Sequence, residues 1–280
     1  MARFAALFWF SILVVFECAS IDSAMAEEIG MYELKKGNLS MKLTNYGARI
    51  VSLVLPDKNG KRGDIALGFD TIQGFMNASS PFGATVGRVA PRIAKAQFTL
   101  NGIVYKLPAN SGNNTIHGGP KGFSQNKLRA PWRQPILYNN ESRSSKQGNA
   151  GEIVTVKGTP YDFLTARTVG SRINELPKGY DTNYALDGSG SRKLKKAAIV
   201  HDEKSGRVME ILTDQLGVQL FTGNNLNVKG KGGFMYKPHG GLCVVTEGFP
   251  DSVNHPNFPS QIVSPGKPYK HIMLFKFSTL

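Results

Sequence analysis

Between Gln97 and Leu107 two alternating runs, Gln-Phe-Thr-Leu and Ile-Val-Tyr-Lys-Leu, flank an Asn101-Gly102 pair. Alternation sends successive side chains to opposite faces of a strand, and Asn-Gly readily takes the positive φ angles of a tight hairpin turn. No window of the chain shows a 3.6-residue apolar stripe longer than two turns. The chain therefore has to be built from strands. Residues 39–55 alternate around a glycine interruption, which predicts two strands or one bent strand, and Pro56-Asp57-Lys58-Asn59-Gly60 reads as the turn that follows. Further short strands are expected at 208–212, 217–222, 241–246 and 271–277. With 31 Gly, 15 Pro and 19% charged residues, the composition suits short strands and tight turns and excludes a coiled coil or a disordered chain. The reading is all-β, a sandwich or barrel, with no internal repeat.

The first residues read as an address. Arg3 precedes an apolar run from Phe4 to Phe16, and Ala24-Met25-Ala26 has the small-x-small pattern of a signal-peptidase site. Residues 1–26 are thus expected to be a signal peptide and 27–280 a single secreted domain. The run is shorter than the roughly 20 apolar residues of a membrane span, so no membrane span is expected after cleavage; an uncleaved anchor is the alternative. Cleavage would remove Cys18 and leave Cys243, whose Gly-Leu-Cys-Val-Val setting suggests a buried structural thiol. Asn-x-Ser/Thr sequons begin at Asn38, Asn77, Asn113 and Asn140. Residues 124–150 break the strand pattern, with five basic side chains, one acidic and little alternation, and read as an atypical linker with little structure of its own.

The common nucleotide, metal and redox motifs are missing from the sequence. Lys229-Gly230-Lys231-Gly232-Gly233 lacks the Lys-Ser/Thr end of a phosphate loop and reads as a solvated basic turn. His201-Asp202-Glu203 are adjacent rather than spaced on one face, so no metal is expected there. The net charge of +14 would attract anions, but the positive residues are spread without interleaved aromatics. No nucleic-acid partner is expected.

Four ordered segments carry a resemblance. They are Gly87-Arg88-Val89-Ala90-Pro91-Arg92-Ile93, Asn114-Thr115-Ile116-His117-Gly118-Gly119, Gly179-Tyr180-Asp181-Thr182-Asn183, and Thr246 to Pro256. Together they resemble the aldose 1-epimerase (galactose mutarotase-like) family over 28–123 and 151–280. The resemblance implies a large antiparallel β-sandwich lacking some central strands. It also implies interconversion of the α and β anomers of hexoses such as glucose and galactose, without metal or other cofactor. That chemistry opens the hemiacetal and closes it on the other face, so one group takes a proton from the anomeric hydroxyl while another protonates the ring oxygen.

The same resemblance assigns substrate binding to Arg92, His117 and Asp181, while His239 and His255 are read as bracing loops. The family's Glu base would fall at Val245, and Pro91 stands where an Asn is usual. The family's acid His would fall between Phe123 and Gly151, and residues 124–150 hold no histidine. Val245 and Pro91 lie outside that segment, so a single deletion does not explain all three departures. Glu247 is the nearest replacement for the base. It shares a face with Val245 but lies about 6.6 Å further along, beyond hydrogen-bond reach of an unshifted sugar. Two readings stay open: a hexose mutarotase, or a non-catalytic carbohydrate-binding protein whose basic surface holds cell-surface polysaccharide.

Overall fold

The computed structural model describes residues 28–127, 151–188 and 193–280, together with the backbone of strands 10–17 and 146–149. Strand β1 (Phe10–Glu17) lies inside the segment expected to be a leader, and pairs antiparallel with the last strand of the chain, Phe10 opposite Phe277 and Glu17 opposite Lys270. A four-stranded antiparallel sheet follows, built from β2 (Met31–Lys36), β3 (Leu39–Thr44), β4 (Arg49–Pro56) and β5 (Arg62–Asp64) in chain order. The alternating stretch 39–55 is thus two strands. At the turn after β4, Asp57 Oδ1 accepts from the Asn59 and Lys61 amides at 2.9 Å each, as an Asx turn does. Helix α1 (Ile72–Asn77) is the one α-helix among the described residues, with Thr71 Oγ1 accepting from the Gly74 amide at its N-terminus. No helix among the described residues is long and apolar enough to cross a membrane.

Short ribbons come next. β6 (Arg92–Ile93) pairs with β9 (Thr115–Ile116), while β7 (Gln97–Leu100) and β8 (Ile103–Lys106) form the hairpin expected at Asn101-Gly102. Both turn residues have positive φ, 50° and 77°, as that tight turn demands. β10 (Lys146–Asn149), β11 (Glu152–Thr155), β12 (Asp181–Ala185), β13 (Lys195–Asp202), β14 (Arg207–Thr213) and β15 (Gly217–Phe221) carry the chain onward. It ends with β16 (Val228–Lys229), β17 (Met235–Tyr236), β18 (Cys243–Glu247) and β19 (Lys270–Thr279).

Two large antiparallel sheets result, one ordered β1-β19-β14-β13 and the other β11-β10-β12-β15-β18. The five-stranded sheet packs its inner face, Tyr184, Val218, Leu220 and Val244, on Val156, Leu186 and Ala197 of β13. The β2–β5 sheet packs Leu39, Met41, Leu43, Leu53 and Leu55 against Phe275 and Phe277 of β19. These are the packed β layers that the alternation demanded. One expectation needs correction here. Residues 124–150 are not simply a linker, because Lys146–Asn149 is strand β10, hydrogen-bonded between β11 and β12. Backbone pairing can hold such a strand without apolar alternation in its sequence. The stretch 128–145, and the sequon at Asn140, lie outside the described residues.

Arg49, at the start of β4, is 2% exposed and has no carboxylate partner among the described residues. Its guanidinium donates to the backbone oxygens of Ser124 (2.7 Å), Phe82 (3.3 Å) and Tyr46 (3.4 Å) and lies 4.8 Å from the centre of the Phe75 ring. Burial lowers its pKa from the ordinary arginine value. The cation ties the β3–β4 turn to the loops at 82 and 124, and those loops lead to the site.

Candidate active site

The outer face of the five-stranded sheet is polar where the inner face is apolar. Period-two alternation puts Asp181 and Asn183 of β12, Gln219 of β15, and Cys243, Val245 and Glu247 of β18 on this one face. The register sets Asn183, Gln219 and Val245 in one row and Ala185, Gly217 and Glu247 in the next. Gln219 Nε2 donates to Asp181 Oδ1 at 2.7 Å, and Asn183 Nδ2 donates to Glu247 Oε1 at 2.9 Å.

The second of these bonds spans two strands, and it passes over Gly217. A Cβ there would lie 2.7 Å from Asn183 Oδ1, closer than side-chain atoms approach. Gly217→Ala is therefore expected to displace the Asn183 amide and break its bond to Glu247. The change should be read as a loss of activity or sugar affinity in a protein whose melting temperature falls only slightly; wild-type behaviour would show that the amide does not position Glu247.

Arg92 and His117 reach the same place from the β6–β9 ribbon. The His117 amide donates to Pro91 O at 3.1 Å, and His117 itself has a positive φ of 53°, a left-handed conformation uncommon outside glycine, asparagine and aspartate. Gly118 follows with φ 85°, packed so tightly on the Gly87 carbonyl that no side chain fits. The Asp251 amide donates to Arg92 O at 2.9 Å, and its carboxylate accepts from the Ala94 amide, Asn254 and His255. His255 thus braces the ribbon, as expected. His239 is exposed, lies against Gly179 and donates its amide to Gly223 O, also a bracing position. With Asn174, Lys178, Asn224 and Asn225 it lines an open groove of about 380 Å³ beside the end of β12.

Electrostatics bind the four candidate residues into one cluster. Burial lowers the His117 pKa most, the Arg92 charge lowers it further, and Asp181 opposes them. Glu247 is pushed up to about 8, by burial first, with Asp181 adding to the rise while the Asn183 bond and Arg92 oppose it. His117 and Glu247 are thus desolvated groups that both feel the charges of Arg92 and Asp181, while Asp181 itself is exposed. Cys243 is where the expectation of a buried thiol fails: it is exposed on this outer face. Its Val244 neighbour points inward, and the apolar signal around it belongs to that face. Although the residue as a whole is exposed, atoms packed around its sulfur desolvate the thiolate and push the thiol up to about 11, with Glu247 adding to the rise. Sequence reasoning alone misses Gln219, although a lone polar residue between Val218 and Leu220 marks the outer face of the strand.

Other sequence candidates take structural roles. Asp202 accepts from the Ser205 amide and hydroxyl in the β13–β14 turn. Lys231 is not freely solvated, since its ammonium meets Asp64 Oδ2 at 2.8 Å and Ala66 O at 2.7 Å.

The sequence profile of the aldose 1-epimerase family matches this chain in two pieces, residues 30–145 and 132–276. The chain belongs to the aldose 1-epimerase family. The two pieces overlap at 132–145, within the segment set apart by its composition. Bovine galactose mutarotase is 32% identical over 327 residues, covering 90% of this chain and 95% of its own. The aldose 1-epimerase of Streptococcus thermophilus is 26% identical, with 92% and 96% covered. The bovine alignment is longer than the 280 residues of this chain, so the relative carries residues this chain lacks. Among solved structures, a GalM/aldose epimerase homologue from C. elegans superposes with a TM-score of 0.79 at 24% identity, covering 90% of this chain and all of the other. Galactose 1-epimerase from Lactobacillus acidophilus gives 0.70 at 16% identity, with 96% and 99% covered. The fold of this family member is the galactose mutarotase-like β-sandwich.

Proposed function

We propose that this aldose 1-epimerase family member binds a hexose such as glucose or galactose on the outer face of the five-stranded sheet and interconverts its α and β anomers. The observation that carries the reading is the gathering of Arg92, His117, Asp181 and Glu247 at one polar, partly desolvated place. A pyranose offers several hydroxyls in fixed geometry, and a rigid sheet carrying a guanidinium, an imidazole, two carboxyl groups and the Gln219 amide complements them. Arg92, His117 and Asp181 hold the sugar, and no metal or cofactor enters the reaction.

Polarimetry of freshly dissolved α-D-glucose and α-D-galactose tests this. The expected result is a faster first-order decay of rotation than in buffer alone. Val245, at the position where the family resemblance places the base, favours the second reading, a carbohydrate-binding protein without turnover. A folded sample that binds either sugar, measured by calorimetry, without speeding the decay would decide for it. The same reading takes residues 1–26 as a leader that sends the chain to the secretory route, and a secreted product whose N-terminal residue is not Glu27 would overturn that part.

A further inference from the structure

The proposed secretory route would carry the chain through a compartment in which asparagines of Asn-x-Ser/Thr sequons accept carbohydrate. We propose that Asn77 is an N-glycosylation site of this protein. The proposal rests on the leader reading of residues 1–26 and goes beyond the sugar chemistry of the sheet.

The reaction sets the requirements. The asparagine Nδ2 forms a bond to the anomeric carbon of an oligosaccharide carried on a lipid diphosphate. The bond from that carbon to the phosphate oxygen breaks, its electron pair leaves on the diphosphate, and one Nδ2 proton is released to solvent. The acceptor therefore needs an uncommitted Nδ2, open space for a bulky glycan, and a hydroxyl two residues on that the transferase can reach.

Asn77-Ala78-Ser79 meets all three. Asn77 is the last residue of α1 and is exposed. Its Oδ1 accepts from Gln73 Nε2 at 2.8 Å, one turn back along the helix, and its Nδ2 has no acceptor among the described residues. Ala78 leaves the helix in an extended conformation, φ −90° and ψ 141°, so the sequon runs straight out of the helix end. Phe75 is 2% exposed in a cluster with Tyr46, Val51 and Phe69, and Ala78 packs against that cluster. The middle residue of the sequon is thus anchored inward while Asn77 and Ser79, on either side of it, face solvent.

Other asparagines spend the same nitrogen on the fold. Nδ2 of Asn45 donates to Glu28 O at 3.2 Å, that of Asn110 to Ile116 O at 3.0 Å, that of Asn126 to Gly122 O at 2.7 Å and that of Asn254 to Gln97 O at 3.1 Å. Asn38 and Asn113 are exposed sequon asparagines too, but their hydroxyl partners are shut away. Ser40 lies in β3 and is 6% exposed, while Thr115 lies in β9, is 2% exposed and donates to Pro108 O at 2.9 Å. Those two sequons are open to a transferase only before the strands form. Asn77 keeps both amide and hydroxyl in reach after folding as well as before, and for that reason the structure favours it over them.

The test is expression of the whole chain, with its own N-terminus, in a eukaryotic secretory cell. A peptide N-glycosidase then removes any glycan and leaves aspartate in place of the modified asparagine, and mass spectrometry reads the tryptic peptide 63–88, which holds this sequon and no other. The expected result is conversion at Asn77 in most copies. Asn77→Gln should lose that glycan; because it also alters the end of α1, Ser79→Ala is run beside it, which keeps Asn77 and its bond to Gln73 while destroying the sequon. Ser79→Thr should retain the modification. A secreted protein that begins at Glu27 and carries an unmodified Asn77 would refute the site and leave the leader reading standing. A chain that stays in the cytosol with residues 1–26 attached and no glycan would overturn both. Modification of Asn77 that persists in Ser79→Ala would show that it is not sequon-directed, and would also refute the proposal.

Discussion

Replacement of Arg49 by leucine is expected to cost the fold on the order of 3–5 kcal/mol, read as a drop in the urea midpoint at constant m. Leucine would relieve the desolvation of a buried cation, which argues for a gain. It would also strand the Ser124, Phe82 and Tyr46 carbonyl oxygens that the guanidinium satisfies. Of these, the Ser124 bond is buried and short, and an unsatisfied buried carbonyl costs about 1–3 kcal/mol. The loss of donors outweighs the relief. The damage should also travel. Ser124 follows Phe123, whose amide donates to Gly87 O at 2.7 Å, and that same carbonyl packs under Gly118 beside His117. Arg49→Lys retains the charge but not the planar fork, so it should fall between the two. A leucine variant within about 1 kcal/mol of wild type would show that water or backbone shifts satisfy the three oxygens.

Glu247→Gln is expected to stabilise the protein at alkaline pH. The Glu247 pKa is raised in the fold from 4.5 to about 8, so the native state holds this proton more tightly than the unfolded chain does. Stability from that proton is complete below the unfolded pKa of 4.5, declines as pH rises, and is gone once pH has passed about 8. Each tenfold difference in proton affinity is worth roughly 1.4 kcal/mol, and the loss amounts to several kcal/mol. Glutamine resembles the protonated acid at every pH and escapes the loss. The variant's melting temperature should therefore match wild type near pH 4.5 and exceed it increasingly on the way past pH 8. Parallel curves for the two proteins would show that Glu247 ionises in the fold as it does in water.

Much of the fold is legible in the sequence because alternation and turn chemistry act locally. The Asn101-Gly102 hairpin, the two strands in 39–55 and the strands at 207–213, 217–221, 243–247 and 270–279 stand where the pattern puts them, within a residue or two. Strands β2, β10, β11 and β13 are not legible in this way. In β2, β11 and β13 several residues are exposed on both faces, so pairing with neighbouring strands, rather than burial of one face, makes them strands. At the site, Arg92, His117 and Asp181 are readable through the segments that carry them. Gln219 and Asn183 are not, because their importance comes from the register that sets them beside Asp181 and across from Glu247. Distance along one strand counts against Glu247. It cannot reveal that Asn183 reaches over Gly217 to hold the carboxyl, or that Arg92 approaches from another ribbon.

The pairing of Phe10–Glu17 with Lys270–Thr279 has a consequence for how the molecule would behave at two stages of its life. Removal of a leader ending at Ala26 would take β1 with it and leave β19 with an unpaired backbone edge along eight residues, every other one of which presents a free donor and acceptor. Such a border is a template for any extended peptide, including the same border of a sister molecule. Precursor and trimmed protein would then differ in self-association more than in the cleft where the sugar is proposed to lie, which is built on the opposite sheet. A handling difference of that kind, seen by gel filtration as a concentration-dependent shift confined to the trimmed form, would report on the N-terminal strand without touching the chemistry at all.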